Sequence, residues 1–214
     1  MVAVKEGDIM PEIKIVNNDK DLNRVFNFLS KTIYDDTILH KEKYYPMSER
    51  LEEIKKQFKI DKDFLMYIEE NNNIVAAITG KNMDLTKKKI TLGILAVSPD
   101  KRGLGYATLL IKEFEKTSLK KGITHIDLGS RYRASSLYEH LNYKYSLMVQ
   151  IFDFAKIEDI RKANKYNLEE ITSNQTPAYG YILYKVPSIS KKYITCFEKK
   201  VPTAIAQYIF KKDL

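Results

Sequence analysis

The sequence predicts an α+β chain: a mixed, mostly antiparallel central sheet flanked by helices, with an extra C-terminal α/β segment. Three observations lead there. Apolar positions switch between strand-like runs and i, i+3, i+4, i+7 spacing in the order β-α-α-β-β-β-α-β-α-β. The longest nearly unbroken apolar run, Ile90 to Val97, has strand length and falls far short of the roughly 20 residues of a membrane-spanning helix. The chain has 214 residues, 44% hydrophobic and 30% charged, which suits one domain with an appendage. A chain of this size buries about 70% of its unfolded surface and needs no disulfide or structural metal to fold.

Taken in order, Glu12 to Val16 reads as a strand, followed by a helix that Asp19 can cap and that carries Leu22, Val25, Phe26 and Leu29 on one face. A loop rich in Tyr, Asp and Lys runs from Tyr34 to Met47, and its acids and aromatics could attract a cationic amine. Ser48 can cap a second helix with Leu51, Ile54 and Phe58 in line. Phe64–Ile68 and Ile74–Thr79 form a hairpin signal across Glu69–Asn73, because asparagine tolerates positive φ. The run Ile90–Val97 reads as a buried central strand that Pro99 and Asp100 end.

The period then changes. Ala107, Leu110, Ile111 and Phe114 mark a helix from about Gly105 to Lys121, stopped by Gly122. A strand at Thr124–Leu128 leads to a short helix with Ala134, Leu137, Tyr138 and Leu141 on one side, and Asn142 stands at its left-handed end. Tyr145–Phe154 is strand-like. Beyond it, Ile157–Ala163 reads as a helix, Leu168–Thr172 and Tyr179–Tyr184 as strands, and Tyr208–Lys211 as a closing strand. The expected organisation is a tail at 1–10, a core at 11–154 and a C-terminal extension at 155–214.

Composition excludes several classes. The single Cys196 cannot form an internal disulfide and suits a reducing cytoplasm. The opening residues Met1–Asp8 interleave charges with apolar side chains, so no signal peptide is expected and no membrane partner either. The three histidines, His40, His125 and His140, lie far apart, so no metal site is expected. Net charge is 36 minus 28, or +8, but the lysines are spread along the chain. No helix-turn-helix, zinc-finger or aromatic RNA-binding motif accompanies them, so no specific nucleic acid is expected.

The chemistry is concentrated in Val97-Ser98-Pro99-Asp100-Lys101-Arg102-Gly103-Leu104-Gly105-Tyr106-Ala107, which joins a buried strand to the first turn of an amphipathic helix. The first amides of a helix lack internal partners and carry partial positive charge. Two glycines let the backbone approach a ligand closely, and Lys101 and Arg102 add cationic charge. Such a turn is a cradle for phosphate or diphosphate. The spacing is neither that of a P-loop nor of a dinucleotide fingerprint. A second pattern follows the next strand, from Arg131 through Ala134, Leu137, Tyr138 and Leu141 to Asn142-Tyr143.

Together, R-x-x-G-x-A at Arg102, Gly105 and Ala107 and A-x-x-L-Y-x-x-L-N-Y at 134–143 resemble the GNAT superfamily of acyl-CoA-dependent N-acyltransferases. The resemblance covers the element order from about 11 to 153, with specific motifs between 95 and 150. It implies acetyl-CoA as acyl donor and an amine as acceptor. It further implies that Leu95, Ala96, Val97 and the turn Arg102, Gly103, Leu104, Gly105, Tyr106 and Ala107 hold the coenzyme, with Arg131 and Ser135 also touching it. The strand at 94–97 would add main-chain hydrogen bonds to the peptide-like pantetheine arm. Tyr138 matches the tyrosine that acts as general acid towards the leaving thiolate, although a tyrosine on an apolar stripe also serves as packing. Asn142-Tyr143 stands where the family usually has Gly-Phe.

No general base is legible. The strand at 90–97 offers Thr91, Leu92 and Gly93 where some relatives place a Glu. Asp127, His125, Glu69 or Glu70 could act through water or be plain solvated side chains, and the expected route is a proton path through water or a substrate amine of low pKa. The implied activity is transfer of acetyl from acetyl-CoA to a primary amine of a small molecule or protein. A non-catalytic acyl-CoA-binding or basic nucleic-acid-binding module is the alternative. The extension is open to being a lid, a substrate wall or the surface of a homodimer.

Overall fold

Residues 11–33, 47–152, 155–201 and 203–214 are described by a computed structural model, in two units, Met1–Thr124 and His125–Leu214. The tail at 1–10 and nearly all of the Tyr34–Met47 loop lie outside the described residues.

In the first unit the chain opens with β1 (Ile13–Ile15) and α1 (Asp19–Ile33). Asn18, rather than Asp19, caps α1: its Oδ1 accepts the Asp21 N–H at 2.9 Å and its carbonyl accepts the Leu22 N–H at 3.0 Å. The cap precedes the first helical residue, and either Asn or Asp serves there. Then come α2 (Met47–Ile60), a 3-10 turn at Lys62–Phe64, β2 (Leu65–Glu70), β3 (Asn73–Asp84) and β4 (Lys89–Val97). A second 3-10 turn at Pro99–Lys101 leads into α3 (Tyr106–Lys120). Strands β1-β2-β3-β4 pair antiparallel in that order. The β2–β3 turn is made by Asn71 and Asn72 at φ 49° and 62°, the left-handed pair a two-residue hairpin needs.

Leu22, Val25 and Leu29 of α1 and Ile54 of α2 pack with Leu65 and Tyr67 of β2, Ala77 of β3 and Ala96 of β4. Phe114 of α3 meets Phe64 edge to face with ring centroids 5.2 Å apart. Lys121, just past α3, bridges Asp61 at 2.5 Å and Asp63 at 2.7 Å, which ties the helix end to the turn before β2.

One irregularity shapes β4. Thr79 pairs with Ile94 but Gly80 pairs with Leu92, so Gly93 is an extra residue, a β-bulge. The Ile94 N–H is satisfied by the Thr79 side chain, whose Oγ1 accepts it at 3.0 Å. Thr79 is fully enclosed. Thr79→Val keeps the shape and removes the acceptor, so chemical denaturation should show a loss of about 1–3 kcal/mol. An unchanged midpoint would mean that the bulge is held by strand pairing alone.

The second unit contains β5 (His125–Ser130), α4 (Tyr132–His140), β6 (Lys144–Phe152), α5 (Ile157–Ala163), β7 (Glu169–Gln175), β8 (Tyr179–Lys185), α6 (Lys191–Lys200) and β9 (Ile205–Asp213). Its strands run β5-β9-β6-β8-β7, all neighbours antiparallel. The closing strand expected around Tyr208 is β9, which inserts between β5 and β6. Asn142 sits at φ 62° as expected, with the Tyr143 N–H returning to the Tyr138 carbonyl at 3.0 Å. Helix α6 is additional to the sequence reading. Ser190 caps it, and Phe197 on it stacks on Tyr184 at 5.4 Å. The two units thus realise the expected α+β class, with antiparallel strand pairing and six helices among the described residues.

Candidate active site

In β4, Leu95, Ala96 and Val97 pair with Ile78, Ala77 and Ala76 of β3, and the Ser98 N–H extends the pairing to the Val75 carbonyl at 2.8 Å. The turn that follows is closed by Lys101 N–H to Ser98 O at 2.9 Å and Arg102 N–H to Pro99 O at 3.4 Å. Gly103 and Gly105 then take φ 84° and 88°, in the left-handed region that favours glycine. A Cβ built on either would meet nothing within 4 Å, so both open onto free space. Leu104 between them is exposed.

The hydrogen-bond ladder of α3 begins with Leu109 N–H to Gly105 O at 3.0 Å, which leaves the amides of Ala107 and Thr108 ahead of it. The turn therefore offers open main chain at a helix N-terminus, a fit for a diphosphate. The exposed Arg102 side chain donates from Nε to the Val97 carbonyl at 3.3 Å. Lys101 is engaged otherwise: its Nζ lies 2.6 Å from Glu70 Oε2, and the same carboxylate accepts the Tyr106 hydroxyl. The sequence showed two cations beside the turn, and the structure neutralises one of them.

In the second unit, Tyr138 stands on α4 at 4% exposure, between Tyr143 at 5.8 Å and Phe210 at 5.1 Å, centroid to centroid. Its hydroxyl has no hydrogen-bond partner among the described residues, and burial pushes the phenol pKa far above its ordinary value. Arg131 is the N-terminal flank of α4. Its guanidinium grips Glu198 of α6 with both arms, Nη1 at 2.6 Å and Nη2 at 3.2 Å, and Nη1 also donates to the Ala206 carbonyl at 3.3 Å. Glu198 further accepts the Ala206 N–H at 3.0 Å. Ser135 is buried and donates to the Arg131 carbonyl at 3.1 Å. Arg131 and Ser135, expected on the coenzyme, are thus brought together by a clasp that fastens the start of α4 to α6 and β9.

The acids offered as proton acceptors are occupied. Glu69 accepts Lys14 Nζ at 2.8 Å and also pairs with Arg24, and these contacts hold its carboxyl below the usual range. Glu70 is held low in the same way by Lys101 and then Tyr106. His125 Nε2 lies 3.5 Å from Asp213 Oδ1 at an exposed sheet end. Asp127 is half-buried on β5, opposite Lys211.

The sequence of residues 30–143, more than half of the chain, matches the model of the Acetyltransferase (GNAT) family. The chain belongs to the GNAT family. It is an acyl-CoA-dependent acetyltransferase, and acetyl-CoA is its acyl donor. No curated protein sequence matches it significantly. Among solved structures, this GNAT chain is similar to an N-acetyltransferase from Staphylococcus aureus Mu50, at 15% identity and TM-score 0.54, over 83% of this chain and 98% of that one. A ribosomal-protein-alanine N-acetyltransferase from Brucella melitensis matches at 12% identity and TM-score 0.51, over 95% and 99%. A protein from Pyrococcus horikoshii, provisionally described as an acetyltransferase, matches at 8% identity and TM-score 0.57, over 100% of this chain and 94% of its own. At these identities the likeness is one of fold. Among the described residues, no helix is long and apolar enough to cross a membrane.

Proposed function

We propose that the protein transfers the acetyl group of acetyl-CoA directly to a primary amine of a small molecule or protein, within a ternary complex. The observation that carries this reading is the turn at 102–107, where two exposed left-handed glycines open the main chain at the start of α3. In this reading the turn, with Arg102, holds the coenzyme diphosphate, and the main chain of Leu95, Ala96 and Val97 lies along the pantetheine arm. The amine nitrogen attacks the thioester carbonyl carbon, the C–S bond breaks, and the thiolate takes a proton with Tyr138 as donor. Arg131 and Ser135 set the start of the helix that carries Tyr138.

Direct transfer is supported by the state of the one cysteine. Cys196 is buried with its thiol directed at the Ala163 carbonyl, 3.5 Å away, which suits packing and not acyl carriage. The amine must reach the thioester unprotonated, because an ammonium has no lone pair. With Glu69 and Glu70 held in ion pairs, its proton leaves through water.

Calorimetry with CoA and thiol release from acetyl-CoA across a panel of polyamines, amino sugars and peptide N-termini test the reading together. Saturable CoA heat and amine-dependent thiol release are expected. Absence of CoA heat, or steeply salt-dependent binding to DNA without any coenzyme binding, would overturn it.

A further inference from the structure

The two carboxylates that end β2 hold different parts of the first unit. Glu69 pairs with Lys14 of β1 and Arg24 of α1. Glu70 accepts Lys101 Nζ on Oε2 and the Tyr106 hydroxyl on Oε1. Lys101 is the last residue before Arg102, and Tyr106 is the first residue of α3. A single carboxylate therefore grips both shoulders of the segment 102–105, which contains the two left-handed glycines.

For a diphosphate site this acid is electrostatically adverse. It repels an arriving anion and neutralises Lys101, one of the two cations of the turn. Its geometry answers a different need. A segment with two glycines in four residues is costly to order, because glycine loses more conformational freedom than any other residue. Fixing both of its ends removes part of that cost before a ligand arrives.

We propose that Glu70 is the positioning residue of the coenzyme turn, holding Lys101 and Tyr106 so that the path through Gly103 and Gly105 is set in the free protein. The inference rests on the reading of this turn as the coenzyme site. Glu70 is occupied by Lys101 and Tyr106, residues that flank the turn, so its removal should raise the cost of coenzyme binding and leave the chemical step alone.

The test is calorimetry with CoA, together with steady-state kinetics in acetyl-CoA. Glu70→Ala should raise the CoA dissociation constant about tenfold and KM for acetyl-CoA in parallel, with kcat within about twofold. Glu70→Gln retains an acceptor for the Tyr106 hydroxyl and should recover about threefold of that loss. Tyr106→Phe removes one grip and leaves the main chain of the turn intact. It should weaken CoA by about threefold, and it serves if Glu70→Ala does not fold. Unchanged or tighter CoA binding in Glu70→Ala would overturn the inference, since repulsion would then be the larger effect of the acid. A drop in kcat at unchanged KM would overturn it as well. Wild-type protein that gives no heat with CoA would instead overturn the reading of the turn.

Discussion

Tyr138→Phe should keep acetyl-CoA affinity and melting behaviour and lose about a hundredfold to ten-thousandfold in turnover, the range for removal of a general acid. The substitution removes one hydroxyl and leaves the ring in its contacts with Tyr143 and Phe210. That hydroxyl has no partner among the described residues, so its loss breaks no hydrogen bond there. If Tyr138 served packing alone, the variant would therefore be as stable and as active as the parent. An unchanged kcat removes Tyr138 from the chemistry.

The role expected of the phenol follows from proton affinities. A free thiol has a pKa of about 8.5 and a free tyrosine about 10, so full transfer to the thiolate is uphill by ~2 kcal/mol even in water. Burial raises the Tyr138 pKa further, which widens the gap. The phenol is therefore expected to act first as a hydrogen-bond donor to sulfur as the C–S bond stretches, with proton transfer completing late. A phenol with a raised pKa also remains protonated through alkaline conditions. The pH profile of kcat should accordingly show no descending limb from this group up to about pH 10, the ordinary tyrosine value.

The sequence carried the local devices well, because each depends on a few adjacent residues. Gly103 and Gly105 at a strand-to-helix junction, Asn71-Asn72 in a hairpin and Asn142 at a helix end all take positive φ in the structure. The long-range electrostatics were not legible. Glu70 reaches Lys101 and Tyr106 across 31 and 36 positions, and Arg131 reaches Glu198 across 67. Nothing in local pattern marks which of 28 acidic residues meets which cation. The turn at 102–107 is therefore legible as a main-chain feature, whereas the pairing of Glu70 with Lys101 and Tyr106 is not.

Two misses did have local signals. Gly93 inside an apolar strand is the usual mark of a bulge, and the structure places one there. Helix α6 was announced by Ser190 ahead of Tyr193, Ile194 and Phe197, with Ser190 accepting the Lys192 N–H at 3.4 Å.

Gly105→Ala should weaken CoA binding by about tenfold or more, equivalent to at least ~1.4 kcal/mol, and should also lower stability. The two effects have separate causes. The stability loss comes from forcing a side chain to φ 88°, at about 1–2 kcal/mol for the left-handed conformation. Steric crowding within the protein adds nothing, since a Cβ at 105 meets no atom within 4 Å. The affinity loss comes from that same open space, which a methyl group would take from the diphosphate. Gly122, at the opposite end of α3, separates the two. Its φ is 74° and a Cβ there also meets nothing within 4 Å, so Gly122→Ala carries the same backbone strain. Calorimetry with CoA should find wild-type affinity in Gly122→Ala and weakened affinity in Gly105→Ala, at similar losses of stability in denaturant. Equal CoA affinity in the two variants would show that the open side of Gly105 faces solvent and no ligand.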